Sequence, residues 1–249
     1  MGTTTSTLRL DGRLNGPPRS ANGGFASGAI ARTLGGTASV RLIRRVPLHT
    51  PLDVETDVDG ISVKVTDPDR QLVAEARRID PFTMTPPAKP SFAQVELARA
   101  ASPLQGVRHL LSDCVVCGPE RRDGLGVTPG PLLHRRDVLA PFVPHERDAT
   151  DGVVHPEALW GALDCPSYPA ASLLGRRLGL LGTLAAHQHR DVFVGERLVA
   201  VGWTIDGRRR STQTASALLD ERGDVVASAR AVWIELKHQW LVRLAGRIH

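Results

Sequence analysis

The sequence predicts an α+β protein made of two successive units, each a helix followed by an antiparallel meander. Three observations carry this: a helix-forming segment in each half, strand-like runs bounded by turn residues after each, and matching closing strands. The run Asp69-Arg70-Gln71-Leu72-Val73-Ala74-Glu75-Ala76-Arg77 recurs as Glu221-Arg222-Gly223-Asp224-Val225-Val226-Ala227-Ser228-Ala229-Arg230, the mark of an internal duplication. A length of 249 residues allows two domains of ordinary size. An apolar fraction of 41% against 23% charged residues suits a packed core and excludes a disordered chain. Each meander needs its helix to cover one face.

In the first half a short strand-like piece spans Leu8 to Leu14 and is followed by the Pro17-Pro18 turn. Asn22 is a good N-cap, and Phe25 to Leu34 follows it as a helix closed by Gly35-Gly36. Strand character marks Ala38 to Val46, Leu52 to Val65 with a break at Asp59-Gly60, and Gln71 to Ile79. Pro81, Pro86, Pro87 and Pro90 then define a linker that neither a helix nor a central strand crosses. Phe92 to Ala101 makes a short helix within it.

The second half opens with Cys114 to Val127, followed by a strand over Arg136 to Phe142 and a helix from His155 to Leu163 that ends near Pro166. Strands follow over Leu178 to His189, Arg197 to Ile205, Ser211 to Leu219 and Asp224 to Leu236. The resulting division is residues 1–80, a linker over 81–113, and residues 114–249.

A net charge of +5 comes almost wholly from arginine, since only Lys64, Lys89 and Lys237 are lysines among 31 basic residues. Such a surface attracts any polyanion, coenzyme A included. Basic runs and base-stacking aromatics are both scarce, which argues against nucleic acid. No stretch reaches the ~20 apolar residues that span a bilayer, and the polar start Met1-Gly-Thr-Thr-Thr-Ser-Thr is unlike a signal peptide, so no membrane insertion and a cytoplasmic location are expected. Three cysteines are an odd number, which argues against a disulfide framework and fits a reducing compartment.

The second half carries a family resemblance. Cys114-Val-Val-Cys117-Gly118 and Gly124-Leu125 resemble the opening of hotdog thioesterases of the phenylacetyl-CoA type. Gly152-Val-Val-His155, with Asp164 nine residues after the histidine, is similar to the stretch in which those enzymes place a His-Gly-Gly turn and a helical catalytic acid. Asn22-Gly23-Gly24 looks like the same turn in the first half, but the position nine residues on is Ala31. In the second half Pro156 and Glu157 replace the glycines, so each half keeps what the other lost. The resemblance extends to double hotdog acyl-CoA thioesterases related to the type II bacterial enzyme. It implies a double hotdog fold with two tandem units, each a long helix wrapped by an antiparallel sheet. It further implies hydrolysis of an acyl-CoA or acyl-carrier thioester, with the coenzyme A thioester as substrate and no cofactor. Type II enzymes hold the attacking water with an Asp, a Thr and a Gln. Asp164 and Thr183 match the first two, while Ala231 stands near the third.

These residues suit the chemistry. Thioester hydrolysis needs a group that activates water or attacks directly, and donors where charge develops on the carbonyl oxygen. Asp164, in the apolar helix Leu159-Trp160-Gly161-Ala162-Leu163, is the candidate base or nucleophile, its pKa raised by burial; a structural carboxylate is the alternative. Gly23 offers a helix N-terminal N–H as oxyanion donor, with Asn22 and Gly24 shaping the turn, although Gly-Gly also serves plain turns. Thr183 is a candidate for orienting the attacking group. His155 and the run Arg208-Arg209-Arg210 after the Asp206-Gly207 turn are candidate substrate contacts, the arginines through fork-shaped donors for phosphate. His187 and His189 share a strand face and so face a phosphate, a metal or solvent together. Cys114 and Cys117 have no second close pair, so no metal is expected there; His134, His145 and Cys165 join only if the fold brings them. The competing function is an acyl-thioester binding protein without turnover. Enoyl hydration, a third, lacks its Asp and His dyad. Two fused units supply the pairing that single ones gain by dimerising, and leave a homodimer open.

Overall fold

The computed structural model describes residues 3–106, 111–131 and 136–240. The first part of the chain forms β1 (Thr4–Leu8), α1 (Gly23–Arg32), β2 (Ala38–Leu42), β3 (Leu52–Thr56), β4 (Ser62–Thr66) and β5 (Leu72–Arg78). After α2 (Phe92–Ala100) come β6 (Gly130–Pro131), β7 (Val138–Phe142), β8 (Ala149–Thr150), β9 (Val153–Val154), α3 (Pro156–Asp164) and α4 (Ala170–Leu174). The chain then runs through the long strands β10 (Gly179–Gln188), β11 (Leu198–Arg208), β12 (Ser211–Leu219) and β13 (Val225–Glu235).

Among the described residues, 11 strands form one sheet in the order β1-β3-β4-β5-β2-β10-β13-β12-β11-β7-β6, with antiparallel neighbours throughout. The five strands of the first half lie on one side and those of the second half on the other. They meet where β2 pairs β10, with Ala38 opposite Ala186 and Val40 opposite Leu184. Val40 and Leu184 are fully buried, so the junction is packed as core.

Both α1 and α3 lie against this sheet and against each other. From Gly24 to Ala31 every residue of α1 is buried, the pattern of a helix enclosed on all sides. The two helices run antiparallel: a Cβ on Gly24 would stand 2.5 Å from the Asp164 Cβ, and one on Gly28 would stand 2.6 Å from the Glu157 Cα. Only glycine permits that approach. The far end of the pair is closed by Arg32 Nε on Glu157 Oε1 at 2.9 Å. Gly35 and Gly36 end α1 in the left-handed region, with φ of 66° and 68°.

The linker packs on the second half. Ser91 and Gln94 form a capping box at the start of α2, and Val95 and Ala98 of that helix bury against Leu139, Val199, Val201, Ala217 and Leu219. Among the described residues no helix is long and apolar enough to cross a membrane.

Three local expectations are corrected. The first strand is Thr4–Leu8, while Gly12–Leu14 is a 3-10 turn capped by Asp11, whose Oδ1 accepts from Arg13 N at 2.8 Å. The Thr-rich start makes an exposed edge strand against β3 without the apolar alternation that signals a strand. Ala38 to Val46 is a strand only to Leu42. The β11–β12 turn lies at Arg209-Arg210, because a bulge between Thr204 and Asp206 carries the strand past Asp206-Gly207.

Candidate functional site

The N-terminus of α1 meets the C-terminal end of α3. Asn22 caps α1, its Oδ1 accepting from Phe25 N at 3.0 Å. That leaves its Nδ2 free to donate to Asp164 Oδ2 at 3.0 Å. Gly24 N–H donates to the same oxygen at 3.0 Å. Asp164 is thus a carboxylate of the second half held by two donors of the first, and it is 2% exposed. Its Oδ1 is buried with no hydrogen-bond partner among the described residues. Burial pushes the Asp164 carboxyl up to about 7, with a further push from the Cys114 sulfur, against the opposing pull of the Gly24 N–H and the Asn22 amide. Helix N-termini leave their first N–H groups unpaired. At α1 the Phe25 and Gly24 N–H groups are taken, while the Gly23 N–H has no partner among the described residues.

Asn22, Gly23 and Asp164 border one cavity of about 770 Å³, well within the size range of small-molecule sites. Its walls are mostly apolar, with Leu42, Leu111, Leu181 and Trp233 inside and the exposed Ile43 and Leu174 at its margin. Trp233 is fixed by its Nε1 donating to Ser167 Oγ at 3.0 Å and by the edge of Tyr168 at 4.8 Å between ring centroids. Four arginines, Arg44, Arg45, Arg176 and Arg177, also border it and are exposed.

A group of thiols completes the wall. Cys114, Cys117 and Cys165 are buried and free, and their sulfurs lie within 4.8 Å of one another. Asn22 Nδ2 is 3.7 Å from the Cys114 sulfur and 4.0 Å from that of Cys165. The Cys114 thiol is drawn well below its ordinary value by hydrogen bonds from Cys117 and Cys165, and those two are raised, chiefly by their bonds to Cys114.

The sequence-predicted residues divide clearly. The fold brings Asn22, Gly23 and Asp164 together. Gly24 adjoins them, but its N–H is taken by Asp164 and it does not border the cavity. Thr183 lies outside the cavity. It follows a bulge at Gly182 and faces a shallow groove with Ser39, Arg41, Lys64 and Glu75, because alternation turns Leu184 inward. The fold therefore does not bring Thr183 to the cavity beside Asp164. Ala231, fully within the sheet opposite Leu184, brings no polar group. His155 is also away from the cavity, its Nε2 paired with Thr150 Oγ1 at 2.8 Å. Arg208, Arg209 and Arg210 sit at the exposed β11–β12 tip, outside the cavity wall, so the fold brings neither these residues nor His155 to the cavity. His187 and His189 stack edge to face at 4.6 Å and pair with Thr37 and Ser228 on another part of the sheet. His145 is exposed and apart from the thiols; His134 lies outside the described residues.

Sequence reasoning missed the cavity-bordering arginines, and it named Cys165 only as a residue that the fold would have to bring to Cys114 and Cys117, as it does. Cys165 follows Asp164 directly, and nothing in its spacing from Cys114 and Cys117 announces a contact.

An α+β arrangement of this kind, with two helices laid on a large antiparallel sheet, is the hotdog fold. It is shared with a hot dog fold protein of unknown function from Alicyclobacillus acidocaldarius, at a TM-score of 0.55 and 11% identity over 94% of this chain and 93% of that one. A protein from Thermobifida fusca YX with a thioesterase II assignment gives a TM-score of 0.59 at 16% identity, over 94% and 92% of the two chains. The 12:0-ACP thioesterase from Umbellularia californica gives 0.52 at 13% identity, over 94% of each. By sequence the chain matches no family model and no curated protein.

Proposed function

We propose that the protein hydrolyses an acyl thioester, carried by coenzyme A or an acyl carrier, at one site built across two tandem hotdog units, residues 1–80 and 114–249. One observation carries the reading: a buried carboxylate from one half and an unpaired helix N-terminal N–H from the other border the same largely apolar cavity. The thioester carbonyl oxygen lies at the Gly23 N–H, where the dipole of α1 favours developing negative charge. Asp164 Oδ1 takes a proton from water as the water oxygen bonds to the carbonyl carbon; the carbon–sulfur bond then breaks, and the leaving thiolate takes up that proton from Asp164, which restores the carboxylate. Asn22 and Gly24, through Oδ2, fix the carboxylate so that Oδ1 is the working oxygen. The hydrolytic step draws on no cofactor.

The thioesterase assignments of two of the structures above support this reading at the level of the fold. A second reading, binding of the thioester without turnover, is favoured by the position of Thr183 on the far face and by the absence of a polar group at Ala231. Incubation with a panel of acyl-CoA thioesters and mass analysis of the products separates the two. Free acid and free thiol support hydrolysis; recovery of unchanged thioester from a tight complex supports binding, and a mass gain of one water supports hydration.

A further inference from the structure

We propose that Cys114, Cys117 and Cys165 form a zinc site in the cavity wall, with three sulfur ligands from the protein and a fourth position filled from the cavity. Cys114 and Cys117 sit on one turn, closed by Gly118 N donating to the Cys114 carbonyl at 2.9 Å. Cys165 is delivered by the end of α3. Tetrahedral zinc with bonds of about 2.3 Å to sulfur places its ligands ~3.8 Å apart, and sulfurs within 4.8 Å of one another need only small side-chain rotations to reach that spacing. All three side chains are buried and all three border the cavity, so the fourth position opens onto it as in sites with three protein ligands.

A further feature, the Asn22 amide, suits thiolate ligands better than neutral thiols. Binding exchanges three S–H bonds for three Zn–S bonds and releases three protons, which leaves a centre with one net negative charge. The Asn22 amide already points an N–H at the sulfurs of Cys114 and Cys165, an outer partner of the kind that orients metal ligands. Asp164 is not counted among the three ligands, whose sulfurs alone form the close group. Thiolate ligands select zinc over magnesium, calcium or manganese. The proposal stands apart from thioester hydrolysis and needs no turnover to be tested.

The experiment is elemental analysis of the full chain purified without chelator, followed by cobalt(II) titration of metal-depleted protein. The expected results are about one zinc per chain and a cobalt complex with thiolate charge-transfer absorption and tetrahedral d–d bands. Cys165→Ser removes the wild-type cobalt spectrum, and Asn22→Leu weakens cobalt binding by about 10–100-fold. Circular dichroism confirms that each variant folds, and Asn22→Leu, which keeps all three thiols, reads the site independently of Cys165→Ser. Wild-type protein that takes up neither zinc nor cobalt stoichiometrically overturns the proposal. So does a Cys165→Ser protein with an unchanged cobalt spectrum, or native protein in which two of the thiols are joined as a disulfide.

Discussion

Asp164 is the residue on which the site turns, and what sets it apart is that its two oxygens have different surroundings. Oδ2 takes two donors from the first half, while Oδ1 is buried with no hydrogen-bond partner among the described residues. Gly23 has the complementary property, an N–H left over at a helix start. Proline suits that first helical position and deletes the donor, and the tip of Leu181 must also give way, since its Cδ2 lies 2.8 Å from where a Cβ on Gly23 stands. Gly23→Pro should therefore retain the helical content of the protein while turnover falls by about 10²–10³, as read by thiol release alongside circular dichroism. Asn22, Gly23 and Asp164 were all legible in the sequence, because a cap, a glycine pair and a carboxylate in an apolar helix are local patterns. Thr183 lies on the strand expected of it, but the bulge at Gly182 shifts which side chains face inward, and no residue pattern announces it. Cys165 was one of three residues that the fold could bring to Cys114 and Cys117, and only tertiary packing, which brings it and not His145, chooses between them.

At the scale of elements, the contact of α1 with α3 sets the geometry. Gly24 and Gly28 bring the helices close enough for the Gly24 N–H to reach a carboxylate on the neighbouring helix. A methyl group on Gly28 would stand 2.6 Å from the Glu157 backbone, so Gly28→Ala must push α3 away. Overpacking of this kind costs about 1–3 kcal/mol or more, expected as a lowered midpoint in thermal or urea unfolding, against a better intrinsic helix propensity that alone would raise it. The β3–β4 hairpin gives a second check. Asp57 accepts from the Ser62 N–H first, then from the Ser62 hydroxyl and the Ile61 N–H, and these hold its carboxyl below the ordinary 3.8. A depressed folded-state pKa means that the turn gains stability above the unfolded value and loses it as pH falls through the folded one. A carbon-detected NMR titration should show Asp57 titrating below 3.8; a midpoint at or above that value contradicts the turn geometry. Strands β3, β4, β5 and β12 were readable from alternation within a residue or two, whereas β1 was not, since an exposed edge strand of Thr and Ser lacks the apolar period.

For the whole molecule, the order of the sheet has a functional consequence. The two halves occupy opposite sides of a continuous sheet and meet at β2 and β10, so α1 and α3 lie side by side and the start of one reaches the end of the other. The matched closing strands were readable in the sequence, as were Ala31 and Pro156, the positions on which the proposal of a single cross-half site rests. The cavity was not, because its walls come from segments scattered from Gly16 to Ile234. The most direct test of a cross-half hydrolytic site compares wild type with Asp164→Asn on the acyl-CoA that wild type cleaves fastest, following thiol release and controlling the fold by circular dichroism. Wild type is expected to release free acid and thiol, and the variant, folded but without the carboxylate, to turn over about 10²–10⁴ times more slowly. An Asp164→Asn protein that hydrolyses the thioester at the wild-type rate would contradict the cross-half site.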